Sequence, residues 1–200
     1  MEHGYSIKSK PQYTPLHWHE KATGHLLLAH GAGGQALINL LQQSLPRQQV
    51  SVLYLQQTAA DAEYAAKMKA VLDADCHVFT AEASLQNALK LMLPFMYMGT
   101  RLYVAGAEGF IWSMTALLKP FGIAPADIMQ QQTGTMARSV YCVHCKATTH
   151  HVTTNITPCA GCGSMLFVRD HFSRNMGAYM GLMVDAESPG ELPEIEEIYR

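Results

Sequence analysis

The segment HLLLAHGAGGQALINLLQQSL, residues 25–45, decides the fold of the larger part of this chain. It begins with a short apolar run, passes through a glycine-rich turn and continues with leucines at helical spacing. An apolar strand that runs through such a turn into a helix is the opening of a βα unit. The sequence therefore predicts an α/β domain whose first strand and first helix are joined by HGAGG.

The same alternation continues to about residue 133. The apolar segments VSVLYLQ, CHVFTAE and RLYVAGA favour strands, and helical patterns separate them. One of these helices is stopped by Pro94 and a later one ends at Pro120. Such alternation predicts a doubly wound parallel sheet with helices on both faces. We expect residues 1–23 to be an N-terminal lead and residues 24–137 to be the α/β domain.

Two Cys-x-x-Cys pairs define the C-terminal part of the chain. Cys142 and Cys145 form the first pair, and Cys159 and Cys162 form the second. A Cys-x-x-Cys turn points two sulfurs to one side, and two such turns complete a tetrahedral metal site. Four-cysteine coordination is therefore predicted within a zinc ribbon at 138–170. The remaining residues, 171–200, are interpreted as a partner-docking segment.

The choice of metal stays open between zinc and iron. Zinc would make the module structural, because a hairpin too small for its own core gains folding free energy from the ion. Iron on the same thiolates would make it a rubredoxin-like electron carrier. The nearby His144, His150 and His151 are not expected to be ligands, since four thiolates already saturate a tetrahedral ion.

Four glycines are candidate nucleotide-binding residues. Gly31, Gly33 and Gly34 lie in the first turn, and Gly106 follows a later strand. Backbone amides before a helix can bind a phosphate. However, the turn lacks the full G-x-G-x-x-G pattern, and a doubly wound fold also needs small residues there for packing. Both interpretations stay open from the sequence.

Composition and charge exclude several classes of partner. The net charge is −2 and basic residues are scattered, so we expect no nucleic-acid partner. Apolar runs are shorter than the roughly 20 residues that span a bilayer, and the N-terminus lacks a secretory apolar region. Paired cysteines suit a reducing compartment. We therefore expect a cytoplasmic protein with no membrane partner.

Two further segments receive an interpretation from their spacing. Met176, Tyr179, Met180 and Met183 recur at helix-like intervals, which favours a helix. The apolar run LMLPFMYM, residues 91–98, is interpreted as core in preference to an interface. No catalytic residues are predicted, because no oxygen-activating or nucleophilic constellation is found.

The stretches LLLAHGAGGQALINLL and LYVAGAEGFIWSMTALLKPFGIAPADI together resemble the nucleotide-binding half of ferredoxin-NADP reductase-like enzymes. That resemblance implies a nucleotide pocket at the glycine turns. The chain departs from the family where Ala105-Gly106-Ala107 replaces a Cys-Gly-Pro turn. Residues 1–23 are also expected to be too few for the flavin-binding barrel of those enzymes.

The combination of this domain with YCVHCK, PCAGCGSMLFVRDHFSR and AYMGLMVDAESPGELPE resembles the small-subunit, DmmA-like family of bacterial dimethylamine monooxygenases. The resemblance implies an accessory, non-catalytic subunit of an NAD(P)H-dependent complex that demethylates dimethylamine to methylamine and formaldehyde. It implies partner subunits that carry flavin, an iron-sulfur cluster and haem. For this chain it implies assembly and docking of a nucleotide or electron path. The alternatives are the iron electron carrier and a free-standing nucleotide-binding regulator.

Overall fold

The computed structural model describes residues 9–200 and separates into two compact units. One unit is Tyr13–Gly134, and the other comprises Thr135–Arg200 together with the described residues before Tyr13. Residues 1–8 of the predicted N-terminal lead lie outside the described residues. Residues 13–23 of the lead belong to the α/β unit.

The α/β unit alternates strands and helices along its length. Its elements are β1 His25–His30, α1 Gly33–Leu41, β2 Val50–Leu55, α2 Asp61–Leu72, β3 Cys76–Phe79, α3 Glu82–Met92, β4 Arg101–Gly106, α4 Glu108–Leu118 and β5 Ile128–Gln132. All neighbouring strands are parallel, in the order β3-β2-β1-β4-β5. The predicted doubly wound parallel sheet is confirmed.

Burial on both faces explains why these strands read as continuous apolar runs. All six residues of β2 are buried, and so are the first five of β1. Successive side chains of a strand point to opposite faces, so both faces of the sheet must be covered. Leu27 of β1 and Leu37 and Leu40 of α1 belong to one core cluster. On α3, Leu85 and Leu89 are fully buried.

The order of the strands creates a switch point between β1 and β4. The chain leaves β1 through α1 toward β2 on one side, and leaves β4 through α4 toward β5 on the other. In open α/β sheets, the crevice beyond the carboxyl ends of two such strands is the usual place for ligands. Gly31, Gly33, Gly34 and Gly106 all lie at this edge of the sheet.

The second unit is a five-stranded sheet in the order β7-β6-β10-β9-β8. Its strands are β6 Arg138–Cys142, β7 Thr148–Val152, β8 Ile156–Pro158, β9 Met165–Ser173 and β10 Ala178–Met183. β6 with β7 and β8 with β9 form two antiparallel hairpins, and β10 pairs parallel with β6 and antiparallel with β9. The sequence boundary placed at residue 170 falls inside β9, so the ribbon and the following residues share one sheet.

The helix expected from the spacing of Met176, Tyr179, Met180 and Met183 is wrong, because Ala178–Met183 is the central strand β10. A register shift between Tyr179 and Gly181 interrupts the two-residue alternation of this strand. A bulge of this kind adds one residue to the apparent period, so the apolar pattern resembles that of a helix.

The segment LMLPFMYM was interpreted as core, and that interpretation is wrong for most of it. Leu93 is buried, but Leu91, Phe95, Tyr97 and Met98 are exposed. α3 ends at Met92, and a short 3-10 turn that contains a proline follows it. Leu91 lies on the exposed face of α3, and beyond the buried Leu93 the side chains of Phe95, Tyr97 and Met98 remain in solvent.

The end of the chain is held against the second unit by specific contacts. The guanidinium carbon of Arg138 lies 3.9 Å from the centroid of the Tyr179 ring and 3.7 Å from that of Tyr199. Asn155 donates its backbone N–H to the carbonyl of Glu196 at 3.0 Å, and the backbone N–H of Glu196 donates to the Asn155 side chain at 2.8 Å. These contacts fix the last residues along one side of the unit.

Between residues 9 and 200, none of the helices combines the length and the apolar character that crossing a membrane requires.

Candidate metal centre and switch-point edge

The sulfurs of Cys142, Cys145, Cys159 and Cys162 converge. All four lie within 4.8 Å of one another, and none is in a disulfide. The Sγ atoms of Cys145 and Cys159 are 3.4 Å apart, and those of Cys142 and Cys162 are 4.0 Å apart. Metal–sulfur bonds of about 2.3 Å in a tetrahedron place the sulfurs roughly 3.8 Å apart. The spacing therefore fits a single tetrahedral ion.

The first pair of cysteines lies in the turn between β6 and β7. The backbone N–H of Lys146 donates to the carbonyl of Cys142 at 3.0 Å, and the N–H of Cys142 donates to Ala147 at 2.9 Å. Lys146 has a left-handed backbone with φ 69°. This turn places Cys145 next to Cys142 at the end of β6.

The second pair repeats this geometry in the turn between β8 and β9. The N–H of Gly163 donates to the carbonyl of Cys159 at 3.0 Å, and the N–H of Cys159 donates to Ser164 at 2.9 Å. Gly163 has φ 74° and occupies the position that Lys146 holds in the first turn. The two turns are thus equivalent in their hydrogen bonds.

Gly161 lies directly against the sulfurs. Its N–H donates to Sγ of Cys159 at 3.4 Å. A Cβ atom at this position would lie 2.6 Å from Cβ of Ala147 and 3.0 Å from Sγ of Cys145. No side chain fits there without displacing the first turn, so the close approach of the two turns requires glycine.

The four thiols differ in burial, and Cys145 and Cys162 differ in proton affinity. Cys142 and Cys159 are buried, whereas Cys162 is exposed. Hydrogen bonds from the side chain and backbone of Ser164, and then from His144, lower the pKa of Cys162 to about 5. Cys145 receives a hydrogen bond from Ala147 that lowers its pKa, but the neighbouring sulfurs, above all that of Cys159, raise it to about 11. Four ionised sulfurs repel one another, and a bound cation would remove this conflict.

The three histidines near this cluster lie outside the group of candidate ligand atoms. His144, His150 and His151 are exposed, and within the described part of the chain the grouped ligand atoms are those of the four cysteines alone. Nδ1 of His150 instead lies 3.0 Å from Oγ of Ser139.

At the switch-point edge, packing accounts for Gly33 and Gly34, and it also constrains Gly106, where an added Cβ would lie 3.1 Å from Phe110. A Cβ atom on Gly33 would lie 2.2 Å from the carbonyl oxygen of Ala105, and one on Gly34 would lie 2.7 Å from Cβ of Tyr64. α1 can approach β4 and α2 this closely only because both residues lack side chains. Gly31 differs, since its φ is 52° and no atom lies within 4 Å of its Cβ position.

The same edge holds polar atoms that sequence reasoning missed. Within the described residues, Nδ1 of His30 and Oγ1 of Thr133 are buried without a hydrogen-bond partner. His30 ends β1, and the N–H of Thr133 donates to the carbonyl of Gly106 at 2.9 Å. The available signal was positional, because both residues lie at or just beyond the carboxyl end of a strand.

A buried carboxylate lies at the start of α4 on this edge. Glu108 is 4% exposed, and its Oε1 accepts a hydrogen bond from the hydroxyl of Tyr13 at 2.8 Å. Nε1 of Trp112 donates to the same hydroxyl oxygen at 2.9 Å. Sequence reasoning did not identify this contact, since Tyr13 lies in the predicted lead, far from α4 in the chain.

Comparison with known proteins places both units in one family context. The family model described as "Dimethylamine monooxygenase subunit DmmA-like, N-terminal domain" matches residues 5–128, and the corresponding C-terminal domain matches residues 139–182. The chain is 36% identical over 111 residues to the "Heme-dependent oxidative N-demethylase delta subunit" of Ectopseudomonas mendocina (strain ymp). The match spans 56% of this chain and 63% of that relative.

The chain is also similar to several solved structures, including these two. The full-length CYP116B46 from Tepidiphilus thermophilus has a TM-score of 0.42 and 14% identity, over 65% of this chain and 18% of that one. The FAD/NAD-binding domain of nitric oxide dioxygenase from Vibrio cholerae O1 biovar El Tor has a TM-score of 0.41 and 20% identity. That match covers 58% of this chain and 54% of the domain.

We predict that Gly161→Ala disrupts the metal centre, because the added methyl group has no room between Ala147 and Cys145. Elemental analysis of the desalted protein should fall from about one ion per chain to less than about half an ion. Gly163→Asn is the control, since asparagine tolerates the left-handed backbone and space is open at that position. Full metal content in Gly161→Ala would contradict the close approach of the two turns.

Proposed function

The chain belongs to the dimethylamine monooxygenase subunit DmmA-like family, and from this premise we propose that it is an accessory, non-catalytic subunit of a haem-dependent N-demethylating complex. The match to a delta subunit carries the proposal, because that designation assigns the relative to an assembly of several chains. The complex oxidises dimethylamine to methylamine and formaldehyde with electrons from NAD(P)H. A reductase subunit with flavin and an iron-sulfur cluster supplies them to a haem oxygenase subunit.

Within this complex, the second unit acts in assembly. The acidic segment after β10 exposes Leu192, Ile195 and Ile198 to between 45% and 52%. The backbone contacts to Asn155 and the ring contact between Arg138 and Tyr199 hold this segment in place. An ordered strip that combines apolar and acidic side chains offers a preformed surface to a partner, which lowers the entropy cost of binding.

The metal is zinc, in a structural role. The equivalence of the two turns supports a single tetrahedral ion, because their backbone hydrogen bonds hold Cys142 and Cys159 in buried positions in the turns of two hairpins. Residues Cys142, Cys145, Cys159 and Cys162 hold the ion. Closed four-thiolate coordination contributes folding free energy and leaves no open position for chemistry.

The purified chain should therefore be colourless and contain about one zinc ion, and zinc removal by a chelator should unfold the second unit. The measurements are elemental analysis, the visible absorbance spectrum and circular dichroism before and after chelation. The rival is the rubredoxin-like carrier. A red protein whose absorbance is bleached by dithionite would replace the zinc assignment with iron and electron transfer.

The switch-point edge docks the nicotinamide nucleotide. Three features support this role: the open space at Gly31, the N-terminus of α1 beside it, and the unpartnered buried atoms of His30 and Thr133 in the described structure. Helix N-termini favour phosphate groups because their backbone N–H groups are free and the helix dipole is positive there.

A pair of substitutions at Gly31 tests this docking. Asparagine and aspartate both tolerate a left-handed backbone and differ in charge. In a fluorescence titration of the isolated chain with NADPH, Gly31→Asp should weaken binding about tenfold, whereas Gly31→Asn should stay within about threefold. No detectable binding to the unsubstituted chain would remove the nucleotide role and leave the accessory role standing.

The accessory role is tested by copurification. When the tagged chain is co-expressed with the other subunits and purified, the preparation should contain haem and flavin. It should also form formaldehyde from dimethylamine when NAD(P)H is added. Without this chain, the yield of assembled complex should fall at least about tenfold. If the chain recovers none of the cofactor-bearing subunits, or if their assembly and turnover are unchanged without it, the proposal is rejected.

A further inference from the structure

The α/β unit carries an apolar patch formed by residues 91–98. Its exposed members are Leu91 at 73%, Phe95 at 85%, Tyr97 at 77% and Met98 at 95%. Every other exposed large apolar side chain in the described residues is at 53% or less. Single exposed apolar residues are normal on protein surfaces, but a contiguous group of this kind marks an interaction site.

The backbone beneath this 91–98 patch is fixed. The hydroxyl of Thr23 donates to the carbonyl of Met98 at 2.7 Å, and the N–H of Thr23 donates to Gly99 at 3.1 Å. The hydroxyl and N–H of Thr100 both donate to the carbonyl of Tyr97, at 2.7 Å and 3.1 Å. The turn therefore holds its apolar side chains in the solvent instead of letting them collapse onto the sheet.

A groove of ≈ 340 Å³ adjoins the patch. Its lining is mostly apolar, with Leu26 from β1, Leu91 and Met92 from the end of α3, and Phe95 and Met96 from the turn that follows; it also includes the polar residues Thr23, His25, Gln49, Ser51 and Thr100. A concave apolar surface of this size accepts an inserted side chain, and methionines adapt to its shape. The patch thus combines projecting aromatic rings with a recess beside them.

Charge and area indicate what covers this surface. From Glu82 to Arg101, the one charged residue in between is Lys90. A strongly charged partner would lose its hydration here without finding counter-charges, so the matching surface is apolar and uncharged. At the exposures given, the four side chains offer on the order of 600 Å², compared with about 800 Å² per partner in a standard interface.

We propose that the 91–98 patch is the docking face of the α/β unit for another subunit of the complex, which contributes an apolar, uncharged surface and inserts a side chain into the groove. This inference rests on the proposed function as an accessory subunit. Phe95 and Tyr97 are the anchors, because large rings that become fully desolvated dominate binding energies at interfaces.

The test compares Phe95→Glu and Met98→Glu with Val71→Glu in the co-expressed complex. Val71, on α2, is 49% exposed and lies outside the patch, so it controls for the added charge. Both patch variants should recover at least about tenfold less of the partner subunits than the unsubstituted chain. Val71→Glu should recover a normal amount. Thermal unfolding of each isolated variant should match the unsubstituted chain, since both patch side chains are largely exposed.

Three outcomes would overturn this inference or its basis. If the unsubstituted chain and both patch variants recover equal amounts of the partner subunits, the docking face is elsewhere and the accessory role stands. If the unsubstituted chain recovers no partner, the accessory role itself fails. If light scattering shows that the isolated chain forms a dimer that Phe95→Glu dissociates, the occupant is a second copy of this chain.

Discussion

The convergence of four sulfurs on one point is the constraint on which the second unit depends. Each hairpin ends in a turn that carries two of these sulfurs, and β10 lies between the hairpins, paired with β6 on one side and β9 on the other. Without a cation, ionised sulfurs at these distances repel one another. A bound cation would attract all four thiolates, and the two hairpins would then be held at the spacing that β10 bridges.

The sequence was sufficient to predict the features that short-range patterns determine. The Cys-x-x-Cys turns and the alternation of strands with helices depend on residues close together in the chain, and both predictions hold. The position of β10 could not be obtained in this way, because its register shift between Tyr179 and Gly181 depends on the neighbouring strands. The exposure of LMLPFMYM likewise depends on where α3 ends relative to the sheet.

The glycine turn shows how one residue type serves two physical purposes that sequence alone cannot separate. Gly33 is required because the carbonyl of Ala105 would be 2.2 Å from its Cβ, and this contact joins segments that are far apart in the chain. Gly31 is in a left-handed conformation and faces open space. Gly31 leaves open space at this edge, while Gly33 allows the helix that forms the edge to approach β4.

The two exposed apolar surfaces differ in charge, and this difference limits which partners they can share. Between Glu82 and Arg101 the 91–98 patch has Lys90 as the one charged residue, whereas the segment after β10 places Glu191, Glu194 and Glu196 among its apolar residues. A surface that complements the acidic segment would carry basic groups. If those groups were placed against the 91–98 patch, they would lose their hydration without gaining an acidic partner. The two surfaces are therefore suited to partner surfaces of different charge.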